Sequence, residues 1–189
     1  MVGLSASRGR PSTGASRRKD ACAAADCGPR SLPQISAALA GEVIALRLGN
    51  AGGQAVRFEI ETEEASQVEV VGEQVVTLPV GSYYHLAVVG PDHFRFELVG
   101  CRDGRAAGVD VQARHTVRGV DLELRNGGPH EIQLHLRSRS NPGQEQRVRV
   151  AAGGAQPFRW PAARGAYDLE ITTPDDETFH RRITGRTAR

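Results

Sequence analysis

The segment LRLGNAGGQAVRFEI (Leu46–Ile60) returns 76 positions later as LELRNGGPHEIQLHL (Leu122–Leu136). Leu46, Leu48, Asn50 and Gly52 fall on Leu122, Leu124, Asn126 and Gly128. Val56, Phe58 and Ile60 fall on Ile132, Leu134 and Leu136. Further along, the offset grows to 83, where Tyr84, Leu86 and Val88 meet Tyr167, Leu169 and Ile171. It then reaches 85, where Phe94 and Gly100 meet Phe179 and Gly185. The offset changes in turns, so strands are kept, and the extra residues are expected in a longer second loop. A period near 80 residues is a tandem duplication of whole units rather than a solenoid.

Inside each copy the pattern has period two, the mark of a half-buried strand. In Ala55–Thr62, Val56, Phe58 and Ile60 alternate with Arg57, Glu59 and Glu61. Gly119–Asn126 alternates Val120, Leu122 and Leu124, and Glu131–Ser138 alternates Ile132, Leu134 and Leu136. Further strands are expected at Glu42–Asn50, Val68–Val71, Val75–Leu78, Tyr83–Val89, Phe94–Val99, Arg147–Val150, Phe158–Trp160, Tyr167–Thr172 and Phe179–Ile183. Between them lie turn signals: Asn-Gly, which suits a left-handed hairpin turn, and Pro91–Asp92 and Pro174–Asp175. Many short strands and 22 Gly with 10 Pro predict an all-β chain.

The expected fold is two tandem small antiparallel β-sandwich domains preceded by a disordered basic tail. The divisions are residues 1–31 for the tail, 32–104 for the first repeat and 105–189 for the second, with Cys101–Gly108 as the linker. Met1–Arg30 carries six Lys/Arg and two Asp, a charge of +4. The remainder of a chain of net charge +2 therefore sums to −2. The basic excess sits in the tail, and the first aromatic residue is Phe58, so nothing pairs basic charge with stacking rings and no nucleic-acid partner is expected. No run approaches the ~20 apolar residues of a membrane span. Arg17–Arg18 precede only Ala21–Ala25, broken off by Asp20 and Asp26, too short for an intact signal peptide. Cys22, Cys27 and Cys101 do not form a disulfide framework or a closed zinc set.

The second copy carries Asn126–Gly127, Val148–Val150, Gly153, Trp160, Tyr167–Leu169, Phe179, Arg181–Arg182 and Gly185 in order. This pattern resembles the C-terminal domain of bacterial phosphocholine-hydrolysing phospholipases C, a family that ends in two tandem β-rich domains. The first copy resembles the preceding domain through Gly90–Phe94, and Ser31–Ile35 resembles its lead-in. Copy one departs from the pattern: Leu78 stands where the Trp is expected, and Ser82–Leu86 replaces the usual Tyr-Asp-Leu. The resemblance implies a phosphoesterase catalytic domain upstream as the missing partner, a phospholipid surface as a possible one, and export from the cell.

No catalytic, cofactor-binding or metal residue is assigned. The six histidines (His85, His93, His115, His130, His135, His180) show no ligand spacing, and Gly-x-Ser-x-Gly is absent. Asp175, Asp176 and Glu177 could offer oxygens to calcium, but solvated turn acids account for them more simply. Trp160, Tyr167 and Phe179 suit a core better than an aromatic patch. Tyr83 and Tyr84 are adjacent in a strand, as are Arg181 and Arg182, so one of each pair must face outward. These four residues are the candidate contact surface. The expected function is a non-catalytic accessory region that supports a catalytic domain or its access to substrate. The alternative is an independent β-sandwich module that binds a protein, glycan or lipid surface.

Overall fold

The computed structural model describes residues 32–187. The basic tail at 1–31, with Arg17–Arg18, Cys22 and Cys27, lies outside the described residues. Within them there are fourteen strands and no helix. The first copy supplies β1 (Pro33–Ala40), β2 (Val43–Asn50), β3 (Val56–Glu61), β4 (Ser66–Val70), β5 (Glu73–Pro79), β6 (Tyr83–Val89) and β7 (Arg95–Cys101). The second supplies β8 (Val109–Thr116), β9 (Gly119–Asn126), β10 (Ile132–Ser138), β11 (Glu145–Val150), β12 (Ala155–Pro161), β13 (Ala166–Thr173) and β14 (Asp176–Arg186).

The strands form two antiparallel sheets whose orders read as mirror lists. One is β12-β9-β8-β1-β2-β5 and the other β11-β10-β13-β14-β7-β6-β3-β4. Each copy alone is a three-on-four sandwich. The copies meet edge to edge in both layers. In the six-stranded sheet β1 pairs β8 through Gln34–Arg114 and Ile35–Ala113. In the eight-stranded sheet β7 pairs β14 from Arg95–Thr184 to Val99–His180. Buried side chains of both copies join in one hydrophobic cluster.

This seam answers a problem that each small sandwich faces alone. An open strand edge is a template for unwanted pairing. β1, with the sequence PQISAALA, carries no charge, and it is paired on both sides. Three of the four strands left on the outside are guarded. β5 ends in Pro79, β12 holds Pro157 and Pro161, and β11 presents Glu145, Arg147 and Arg149.

The alternating faces predicted for β3, β9 and β10 are the buried faces. Two expectations change. Asn50 and Asn126 do not take a left-handed backbone. They are buried and act through their side chains: Asn126 Nδ2 donates to the carbonyls of His130 (2.7 Å) and Val150 (3.0 Å), while Oδ1 accepts from the Gly128 amide. Asn50 does the equivalent with Gln54 and Gly52. The second change concerns the longer copy-two loop, which is not a loop. Pro174–Asp175 is a tight turn, and the added residues extend β14 back to Asp176 past a register shift at Thr172/Thr173. In copy one the positive-φ residues of the turn are Asp92 (55°) and His93 (57°), closed by the Phe94 amide donating to the Pro91 carbonyl at 2.9 Å. Two consecutive positive φ values are the mark of a type I′ hairpin turn.

Candidate functional site

Strand alternation separates the four candidate contact residues two and two. Tyr83 is 73% exposed and Tyr84 7%. Arg182 is half-buried and Arg181 2% exposed. Tyr84 and Arg181 are withdrawn from the surface because both point between the sheets, and there they find each other. Arg181 Nη2 donates to Tyr84 Oη at 3.0 Å, and Nη1 donates to the carbonyls of Val99 (2.6 Å) and His180 (3.0 Å). Its guanidinium lies 4.2 Å from the Phe179 ring centroid and 5.7 Å from that of Tyr84. No carboxylate pairs with it among the described residues. Burial pulls its pKa below the usual arginine value, opposed by Tyr84 and, at longer range, Asp110 and Asp176. A buried cation held by carbonyls, a phenol and ring faces is a structural joint between the copies.

Tyr84 occupies that place because its register partner is Gly100. A Cβ at Gly100 would lie 2.6 Å from Tyr84 Cζ. The second copy repeats the device: Tyr167 pairs Gly185, where a Cβ would also lie 2.6 Å from the ring Cζ. Tyr167 Oη meets His115 Nδ1 at 2.8 Å, and the His115 ring also packs 5.9 Å from that of Phe94. Burial pushes the Tyr167 phenol up and the His115 imidazole down, the latter against an opposing pull from Asp92. Trp160, Tyr167 and Phe179 are all core residues, at 2–3% exposure.

Asp175 and Asp176 turn away from a shared site. Asp175 Oδ2 accepts from the Gln133 amide at 3.2 Å. Asp176 Oδ1 accepts from the amide (3.0 Å) and hydroxyl (2.6 Å) of Thr178, and Oδ2 accepts from the Ala106 amide (2.9 Å). Burial alone would raise the Asp176 pKa, but these hydrogen bonds hold it below the usual carboxylate value. Its work is to fasten the Cys101–Gly108 connection to β14. No three His, Cys, Asp or Glu side chains converge as a metal-binding group among the described residues, and no helix there is long and apolar enough to cross a membrane.

Residues 105–186 match the family model described as bacterial phospholipase C, C-terminal domain. That stretch of the chain is similar to the C-terminal domain of this family. No curated protein matches the chain. The matched stretch begins in the connection after β7 and ends with β14, and its motif residues have visible tasks. Asn126 pegs the β9–β10 turn, Gly153 turns the chain at φ 66°, and Gly185 leaves room for Tyr167. Arg182 grips Asp168 through two 2.9 Å bonds from Nε and Nη2. Residues 32–101 repeat the same seven-stranded plan.

Two of the several surface depressions have a bearing on binding. The outer face of the six-stranded sheet holds a shallow groove of about 420 Å³ over Ser36, Ala38 and Ala45. Of the charged groups that line it, Arg47 pairs with Glu73 and Arg125 with Glu123, and Asp110 accepts from the Ala37 amide at 3.2 Å. The other is a pocket of about 340 Å³ in copy one, lined by Tyr83 together with Leu78, Val80 and Glu64. Sequence reasoning reached Tyr83 but not the pocket, whose one signal was Leu78 standing where copy two has Trp160.

Proposed function

We propose that the chain is the non-catalytic accessory region of a bacterial phospholipase C, which supports a phosphoesterase domain or presents it to its substrate. The observation that carries this reading is the family match over residues 105–186, joined by strand pairing to a first copy of the same plan. The side chains that distinguish the family pattern act in packing, capping and closing the seam, which is the work of a support. Copy one departs from that pattern around an open pocket, and this favours, as a second reading, an independent binding module.

The test is turnover. The purified chain, supplied with divalent cations and a chromogenic phosphocholine ester, is expected to release no product. When it is added to a separately produced phosphoesterase domain of the family, turnover or thermal stability of that domain is expected to rise. Robust turnover by the chain alone, abolished by one substitution within it, overturns the proposal. The reading frame immediately upstream separates the two readings: a phosphoesterase supports the first, and an unrelated gene the second.

A further inference from the structure

The two ends of the eight-stranded sheet are equivalent strands of opposite charge. β4 pairs β3 with Val68 opposite Phe58 and Val70 opposite Val56. β11 pairs β10 with Val148 opposite Leu134 and Val150 opposite Ile132. In both strands the valines pack on the core. Between them β4 holds Glu69 where β11 holds Arg149, and Gln67 stands where β11 has Arg147, all four exposed. The loop before β4 adds Glu63 and Glu64, and β10 adds Arg137. None of the five acids and bases Glu63, Glu64, Glu69, Arg147 and Arg149 is in an ion pair among the described residues, nor is Arg137. One opposite charge stands with each group, Arg57 across from Glu69 and Glu145 across from Arg137. The imbalance extends beyond the strands. Residues 32–104 carry four Arg against ten Asp and Glu, a net of −6, and residues 105–189 carry fourteen against ten, a net of +4.

The strand directions suit the charges. All neighbours in this sheet are antiparallel and its strands number eight, so β4 and β11 run in opposite directions. A second copy set alongside without being turned over therefore offers its β11 antiparallel to β4, with the same face inward. With Val68 opposite Val148, Glu69 falls opposite Arg147 and Gln67 opposite Arg149 on the outer face. Opposite charges across a strand pair stabilise it, and like charges directly opposite destabilise it. Two β4 edges or two β11 edges would bring like charges into one contact. The charges that keep β11 from another basic edge thus suit an acidic one. The six-stranded sheet is guarded against such extension by Pro79 at one edge and by Pro157 and Pro161 at the other. β4 has no proline, and Val71 just past its end is 68% exposed. An open edge of this kind is a template for another strand.

We propose that the chain associates head to tail with a second copy of itself, β4 of one molecule adding to β11 of the next. The contact is independent of the accessory role. Two strands this short bury well under the ~1,200 Å² of a stable complex, so the contact is weak and reversible. It leaves a free edge at each end, so growth does not stop at a dimer. The full chain is followed by small-angle X-ray scattering from about 10 μM to about 1 mM. Its apparent mass is expected to rise with concentration at about 20 mM salt and to fall back toward the monomer at about 0.5 M. Glu69→Arg, and separately Arg147→Glu with Arg149→Glu, are exposed changes expected to lower the association constant at least fivefold. Mixing the two variants puts opposite charges back across the contact and is expected to restore association. A chain that stays monomeric at low salt, or a mixture that shows no recovery, overturns the proposal. So does association that survives Glu69→Arg. Loss in Glu69→Arg without loss in the Arg147 and Arg149 variant gives the acidic edge a different occupant, the basic tail, and overturns it as well.

Discussion

Arg181 of β14 and Tyr84 of β6 are joined by a 3.0 Å hydrogen bond that crosses from one copy of the repeat to the other inside the sandwich. Tyr84→Phe removes one acceptor from a buried cation, which costs about 1.5–3 kcal/mol. Arg181→Met leaves the phenol and the Val99 carbonyl short of a donor and costs about 1–3 kcal/mol. The two losses are not additive. In the Arg181→Met background, Tyr84→Phe is expected to cost less than about 0.5 kcal/mol, and a double-mutant cycle in urea reads the coupling.

The joined sheets predict one unfolding event. Trp160 is the single tryptophan and reports on the second copy alone, whereas far-ultraviolet circular dichroism reports on all fourteen strands. Both signals are expected to give the same urea midpoint. Residues 105–189 produced alone expose the edges of β8 and β14 and are expected to unfold at lower denaturant or to self-associate. Two separated transitions in the full chain would show that the copies are independent folding units.

Gly100 and Gly185 each lie under a tyrosine ring, so Ala at either position overpacks its site by about 1–3 kcal/mol. Replacing the tyrosine as well, as in Gly185→Ala with Tyr167→Leu, is expected to remove most of the clash. The combined loss is then smaller than the sum of the single losses, measured by thermal unfolding.

His115 sets a pH dependence. Burial lowers its pKa, so the folded chain takes up this proton at lower pH than the unfolded chain, in which histidine titrates near pH ~6.5. Its contribution is fully present above that pH and declines as the pH falls through the unfolded and then the folded value. The melting temperature is expected to drop between about pH 7 and pH 5. His115→Gln is expected to flatten that slope, although it lowers stability at pH 8 through the altered bond to Tyr167.

Asp176 holds the connection between the copies by accepting from the Ala106 amide. Asp176→Ala is expected to release residues 102–107 locally, and limited trypsin digestion is expected to cut faster at the exposed Arg105. Its pKa lies below the usual carboxylate value, so its contribution persists at neutral pH and is lost only as the pH falls below about 4.

Much of this was legible one residue at a time. Val56, Phe58 and Ile60, or Ile132, Leu134 and Leu136, declare a strand and its buried face because side chains alternate with period two. The duplication itself predicted that β13–β14 would echo β6–β7. Two strands went unread, β1 and β8, and they are half of the seam. Half of β1 is Ala or Ser, and β8 alternates only Val109, Val111, Ala113 and His115 with polar residues, so neither carries a strong apolar signal. Pairing between distant segments leaves no local mark in the sequence. Period two likewise determined that one of Tyr83 and Tyr84, and one of Arg181 and Arg182, had to face inward. Which one, and that the two inward residues would meet, was decided by the packing of sheet on sheet. A hydrogen bond spanning 97 positions depends on where the whole chain closes. In the same way the sequence determined that copy one holds Leu78 in place of a Trp, and only the tertiary structure decided that the missing volume stays open, because β3 also leaves β6 early at that corner.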